Sequence, residues 1–221
     1  MKNIHYFLVP YILFFIVILA ALFQYPKAEL HLLMNSNHTV SGDWFFEKWT
    51  EVGGTVIPIT IILILLFHRY SRAAYLAVAL IPGFIISQLT KFVFNEPRPL
   101  FYFHQHFPEI SLPVVSGVSM LSNPSFPSGH TANAFALFFA LALIVKNKWL
   151  KVMFLVMAVL VGYSRIYLSQ HFAIDVLAGS VIGIFSAWIT YGLLLKTDRK
   201  WKKHSLREVF LKKKPDKHAV N

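Results

Sequence analysis

The stretch FPSGHTANAFALFFALALIV, residues 126–145, decides the fold. It joins a short Pro-Ser-Gly-His sequence to an uncharged apolar run, Thr131–Val145. A soluble protein carries about 25% charged residues, whereas this chain carries 14% and is 56% hydrophobic. Residues 126–145 therefore predict a helix inside a membrane, with polar groups where the helix begins.

Outward from this stretch, the chain contains five more apolar runs: Ile4–Gln24, Val52–Phe67, Ala73–Leu89, Trp149–Tyr163 and Phe172–Leu195. A spanning helix needs about 20 residues, so the shorter runs are expected to extend into flanking polar residues. We therefore expect an all-α, polytopic membrane protein with six transmembrane helices. Residues 1–195 would form the membrane domain, and residues 196–221 a basic cytoplasmic tail.

The distribution of basic residues predicts the orientation in the membrane. If the N-terminus is cytoplasmic, six crossings return the C-terminus to the cytoplasm, and most of the 21 Lys and Arg residues lie on that side, as the positive-inside rule requires. Because these residues adjoin apolar runs or lie in the tail, the net charge of +11 favours lipid headgroups over nucleic acid as partners. The first outer loop holds Lys27, Lys48 and several aromatic residues, and predicts a short interfacial helix opened by Asp43.

Three polar clusters lie at the ends of apolar runs, at what would be the outer face of the membrane. The first contains Lys91 and Arg98, the latter flanked by Pro97 and Pro99. The ammonium of Lys91 is a point charge, whereas the guanidinium of Arg98 is a planar fork that suits two phosphate oxygens. Taken alone, this cluster is equally compatible with ordinary basic anchors at a helix end.

The second cluster is Ser128-Gly129-His130, directly before the fourth run. Ser128 is a good N-cap, and Gly129 allows a ligand to approach the backbone. Free N–H groups and the helix dipole favour an anion there, with His130 beside it. A plain capped helix start with a surface histidine is the alternative.

The third cluster contains Arg165, His171 and Asp175. His171 and Asp175 are four residues apart and share one face of a helix. Asp175 can accept a hydrogen bond from His171 Nδ1–H, which leaves Nε2 with a free lone pair for nucleophilic attack. A salt bridge at a helix start is the alternative. Six helices would place all three clusters at one end of the bundle, as phosphoryl transfer without a metal requires.

Together, Lys91-x6-Arg98-Pro99, Pro127-Ser128-Gly129-His130 and Ser164-Arg165-x5-His171-x3-Asp175 resemble the three-part signature of the type 2 phosphatidic acid phosphatase superfamily. The six-helix layout is similar to that of its bacterial membrane branch. The resemblance implies a metal-independent lipid phosphate phosphatase with no cofactor. Phosphatidylglycerophosphate, phosphatidic acid and undecaprenyl pyrophosphate are the substrates it suggests.

The resemblance also implies residue roles. His171 would attack phosphorus and carry the phosphoryl group, Asp175 would orient it, and His130 would protonate the leaving oxygen. The oxygens of the phosphoryl group would be held by Lys91, Arg98, Arg165, Ser128 and the N–H of Gly129.

Two other functions remain open from the sequence. One is a phosphotransferase that passes the same phosphoryl group to a lipid or sugar, and the other is a lipid carrier without catalysis. A carrier would spread its charges across the membrane depth, whereas here they cluster. Gly179 and Gly183 form a small-xxx-small motif that favours packing inside the bundle, so we expect a monomer.

Overall fold

The computed structural model describes residues 2–119, 122, 124–194 and 205–206. Within these ranges the regular secondary structure is entirely helical, which confirms the all-α prediction. The helices are α1 His5–Gln24, α2 Lys27–Asn35, α3 Val40–Trp49, a 3-10 helix Thr50–Gly53, α4 Val56–His68, α5 Tyr70–Phe94, α6 Pro99–His106, α7 Gly129–Ile144, α8 Lys148–Tyr167 and α9 Ala173–Leu194. The predicted tail, residues 196–221, lies outside the described residues apart from 205 and 206.

Helix α7 is the centre of the bundle. It packs against α5, α8 and α9, and most of its side chains, such as Phe135 and Phe139, are fully buried. Alanine and glycine allow α7 and α9 to approach each other most closely. A Cβ added to Gly183 of α9 would overlap the backbone carbonyl oxygen of Ala132 in α7. The small-xxx-small motif therefore faces a helix of the same chain, as the sequence predicts.

The outward faces of the long helices are apolar. Phe23 of α1, Leu89 and Phe92 of α5, and Leu193 of α9 are all exposed. Large apolar side chains in such number on an outer surface are typical of helices in contact with hydrocarbon.

Four segments are long and apolar enough to cross a membrane: His5–Gln24, Tyr70–His106, Lys148–Tyr167 and Ala173–Leu194. A fifth arises if the pair Val40–Gly53 and Val56–His68, bent by 52°, forms one span. Helix α7 has 16 residues and covers only about 24 Å at 1.5 Å per residue. The chain is thus a multi-pass protein. Helix α7, the fourth of the six predicted spans in chain order, is shorter than these segments and is enclosed by longer helices.

The first outer loop differs from its predicted layout. Lys27 begins a separate helix, α2, and the aromatic helix α3 begins at Val40 rather than at Asp43. Thr39 is the N-cap and accepts a hydrogen bond from the N–H of Gly42 at 3.0 Å. Asp43 lies in the first turn and instead accepts from Tyr167 Oη at 2.7 Å, which fastens α3 to the end of α8.

The α7–α9 contact generates a prediction about stability. Gly183→Ala should lower the thermal stability of the detergent-solubilised protein, because the new methyl group meets backbone atoms that cannot rotate away; overpacking of this kind costs about 1–3 kcal/mol. Gly192→Ala in the same helix is the matched control, since an added Cβ there meets nothing within 4 Å. Equal melting temperatures for both variants would contradict the predicted contact.

Candidate active site

The three polar clusters meet at one end of the bundle. The segment before α7 is joined to the start of α9 by a hydrogen bond from Ser128 N–H to the carbonyl oxygen of Asp175 at 3.0 Å. Arg98, at the start of α6, donates from Nη1 toward His171 Nε2 at 3.3 Å. His130 and Arg165 line the same cavity. Lys91, near the end of α5, lines a neighbouring cavity with Asn95 and Pro124, and its ammonium adds to the positive charge that acts on His171.

His171 lies in the turn between α8 and α9 and is 1% exposed. The turn closes the end of α8: the N–H groups of Gln170 and His171 both donate to the carbonyl oxygen of Arg165, at 2.9 and 3.0 Å. Ser169 adopts a left-handed conformation (φ 51°) at this point, as residues after a helix end commonly do. This turn fixes the imidazole between α6 and the segment before α7.

Asp175 does not hold His171 alone. His171 Nδ1 and Asp175 Oδ2 are 3.4 Å apart, as the spacing predicts, and a serine hydroxyl contacts both atoms. Ser125 Oγ is 3.2 Å from His171 Nδ1 and donates to Asp175 Oδ2 at 2.5 Å. Because the Ser125 hydroxyl donates its hydrogen bond to the carboxylate, its oxygen accepts one from His171 Nδ1–H. The lone pair of Nε2 is therefore the one that faces Arg98.

No sequence pattern indicated that Ser125 belongs to this arrangement. It lies five residues before His130 in a loop and is completely buried. Asp175 Oδ2 also accepts from the N–H of Phe172 at 2.9 Å, so the carboxylate is fixed by its own helix start as well. The orienting group for His171 is a serine–aspartate pair rather than the aspartate alone.

Two buried arginines are positioned by partners that sequence reasoning did not identify. Arg98 Nη1 donates to the carbonyl oxygen of Gln170 at 2.8 Å. Arg165 Nη1 donates to Thr50 Oγ1, in the 3-10 helix, at 2.6 Å. Both arginines are 4% exposed. These hydrogen bonds go to neutral oxygens, while the carboxylates of Asp175 and Glu51 act on Arg98 and Arg165 through their charges. With Lys91, the site holds three cations against these two carboxylates, and this excess favours a bound anion.

The N-terminus of α7 is organised as the sequence predicts. Ser128 is the N-cap, and its Oγ accepts from Thr131 N–H at 3.4 Å and from Thr131 Oγ1 at 2.8 Å. Its own hydroxyl proton takes part in neither bond and remains available. A Cβ on Gly129 would meet no atom within 4 Å, so the first turn faces open space where its N–H groups and the helix dipole favour negative charge.

Electrostatics keep His171 neutral. Burial is the main cause that holds the pKa of its imidazole well below its usual range, and the positive charges of Arg98, Arg165 and Lys91 act in the same direction. Nitrogen attack requires the unprotonated ring, so the environment favours the reactive form. Among the described residues, no group of three or more His, Cys, Asp or Glu side chains is arranged to hold a metal ion.

This environment predicts the titration of His171. Its imidazole should stay neutral at pH 7 and take up a proton only well below the ordinary histidine pKa of about 6.5. Removing one cation in Lys91→Gln should raise that pKa, because less positive charge then opposes protonation. Nitrogen NMR of ¹⁵N-histidine-labelled protein, assigned with His171→Gln, measures both values. A wild-type midpoint at or above 6.5 would refute the prediction.

Comparison with known proteins identifies relatives of this chain. The sequence profile of the PAP2 superfamily matches residues 72–199, more than half of the chain. A lipid A 4'-phosphatase from Bacteroides thetaiotaomicron is 29% identical over 170 residues, covering 74% of each chain. An undecaprenyl-diphosphatase from Sulfolobus acidocaldarius is 26% identical over 171 residues, covering 75% of each.

A solved structure shares the fold. The crystal structure of a transmembrane PAP2 type phosphatidylglycerolphosphate phosphatase from Bacillus subtilis superimposes with a TM-score of 0.66 at 23% identity, covering 88% of this chain and 99% of that one. The profile match spans α7, α8 and α9 and all three clusters from Lys91 to Asp175. The chain belongs to the PAP2 superfamily.

Proposed function

We propose that this protein is a lipid phosphatase that removes a terminal phosphate from a phospholipid or an isoprenoid lipid through a phosphohistidine at His171, acting as a monomer. The observation that carries the proposal is the state of His171: its Nδ1–H is held by Ser125 and Asp175, and its Nε2 lone pair faces the buried guanidinium of Arg98. A neutral, oriented imidazole beside cations that outnumber the neighbouring carboxylates is suited to attack a phosphorus atom.

In the first step, His171 Nε2 forms a bond to phosphorus, and the bond from phosphorus to the lipid oxygen breaks. Lys91, Arg98 and Arg165 would stabilise the negative charge on the remaining oxygens, with the hydroxyl of Ser128 and the N–H of Gly129. His130 would give its proton to the departing lipid oxygen. In the empty site, burial and the neighbouring cations favour the neutral form of His130, so the proton would be taken up with the substrate, whose negative charge compensates those cations.

In the second step, water attacks the phosphohistidine. His130, now neutral, would accept a proton from that water, the bond from phosphorus to His171 Nε2 would break, and inorganic phosphate would leave. The two steps convert a lipid phosphate and water into the dephosphorylated lipid and phosphate. All acid–base work is done by residues of this chain, so no step requires a metal ion.

The family and its named relatives support lipid phosphate as the substrate class. The Bacteroides protein is named for lipid A and the Sulfolobus protein for an undecaprenyl diphosphate, and both are phosphatases of membrane lipids. The apolar outer surface of this chain suits substrates held in a bilayer.

We further propose that the chain crosses the membrane six times, and that α7 is one of these spans, enclosed by the other helices. Both termini would then be cytoplasmic and the site extracytoplasmic. The support is the excess of basic residues at the helix ends opposite the site, such as Arg69, Lys146 and Lys148.

Activity measurements test the mechanism. His171→Ala should abolish phosphate release from lipid phosphate in detergent micelles, a loss of at least about 10⁴-fold for a nucleophile, while the wild type should keep its activity in a chelator. His106→Ala is the control, because that exposed histidine bonds only to the carbonyl oxygen of Tyr102. Activity that persists in His171→Ala, or is lost to the chelator, would refute the mechanism.

The chain contains no cysteine, which permits a direct test of topology. Single cysteines at Asn37 and Ser111 should react with a membrane-impermeant maleimide in intact cells. Cysteines at Arg69 and Lys146 should react only after the cells are permeabilised. All four positions are exposed, so the reverse pattern of labelling would overturn the proposed orientation.

A further inference from the structure

A cavity of about 410 Å³ lies directly beside the candidate active site. Its lining includes His130 and the buried Arg165, whose side we call the inner end. It also includes Glu47, Lys48 and the exposed Glu51, from α3 and the 3-10 helix, whose side we call the outer end. This size is in the range of small-molecule pockets, which is roughly 300–1,000 Å³.

The inner end of the cavity is built for an anion. Arg165 is 4% exposed, and its Nε–H is buried without a hydrogen-bond partner among the described residues. One N–H of Nη1 donates to Thr50, and the Nε–H is a buried donor that a ligand can satisfy. A buried, unpaired guanidinium N–H is costly unless an acceptor arrives, and a phosphate oxygen is the acceptor that the proposed function supplies.

The position of His130 identifies what occupies the rest of the cavity. In the proposed mechanism His130 protonates the oxygen that leaves phosphorus, and His130 forms part of this cavity wall. The group attached to that oxygen must therefore begin in the cavity. This step of the reasoning rests on the proposed function.

The outer end of the cavity carries acceptors and a negative charge. Glu47 Oε1 accepts from Lys48 Nζ at 2.6 Å, which makes that pair neutral. Glu51 is exposed and has no cation within ion-pair distance in the part of the chain that the structure describes, although its charge acts on Arg165 across the cavity. Its carboxylate can accept hydrogen bonds from hydroxyl or amine groups, whereas it repels a second phosphate.

We infer that the cavity binds the group to which the scissile phosphate is attached, and that this group is a sugar or polyol carrying free hydroxyls rather than a second phosphate. The cations of the site surround the scissile phosphate, and the next charge outward along the cavity is the carboxylate of Glu51. Lipids whose phosphate is attached directly to a sugar or polyol fit this sequence of charges, whereas lipid diphosphates do not.

The test compares two lipids in mixed micelles. Phosphatidylglycerophosphate carries its terminal phosphate on a glycerol with a free hydroxyl, and undecaprenyl diphosphate carries it on another phosphate. The wild type should show a higher kcat/KM for the glycerol lipid. Glu51→Gln should reduce that preference at least five-fold, and Glu51→Lys should reverse it, because a positive charge would attract the second phosphate. Glu109→Gln, an exposed loop carboxylate away from the cavity, should leave the ratio unchanged.

The outcomes separate this inference from the proposed function. Hydrolysis of both lipids with a wild-type preference for the diphosphate would overturn the inference alone, as would an equal ratio in the wild type, Glu51→Gln and Glu51→Lys. If the wild type hydrolyses neither these lipids nor phosphatidic acid, the proposed function fails and the inference fails with it.

Discussion

The close approach of α9 to α7 sets the geometry of everything at the polar end of the bundle. At Gly179 a Cβ would lie 2.6 Å from the carbonyl oxygen of Ser128, so only glycine lets the two helices meet at this depth. One turn earlier, the carbonyl oxygen of Asp175 accepts from Ser128 N–H. The helix start that presents Gly129 and His130 is thereby fixed against the turn that presents His171, and the distance between the two histidines follows from backbone contact rather than from side-chain packing.

Around this contact, the site concentrates more positive charge than its carboxylates, Asp175 and Glu51, balance. Arg98 and Arg165 are buried and donate to neutral oxygens of Gln170 and Thr50, and Asp175 accepts from Ser125 and from the N–H of Phe172. Burying charged groups costs several kcal/mol each by order of magnitude, and the tightly packed helices below offset that cost. The same arrangement favours the neutral form of His171, so anion binding and nucleophile activation have one electrostatic origin.

Much of this was predictable from the sequence, and the remainder has a physical reason. Apolar runs locate the long helices, and the spacings around Arg98, His130 and His171 identify the polar residues that meet, because helix ends at one side of a bundle must be neighbours. The partners Ser125, Thr50 and Gln170 were not predictable, since each contact joins a loop to a residue whose position depends on tertiary packing. For the same reason the predicted start of α3 at Asp43 was wrong. The Asp43 side chain accepts a hydrogen bond from Tyr167, and Thr39 caps the helix instead.

The bond from Arg98 to His171 Nε2 has one more consequence. In the proposed mechanism, the guanidinium covers the lone pair that would react, so an incoming oxyanion would have to draw Arg98 onto itself before the imidazole is uncovered. Recognition of the anion and exposure of the nitrogen would then be a single event. An unbound pocket would shield this nitrogen from other electrophiles, and inorganic phosphate, which binds the same guanidinium, would compete with lipid for the site.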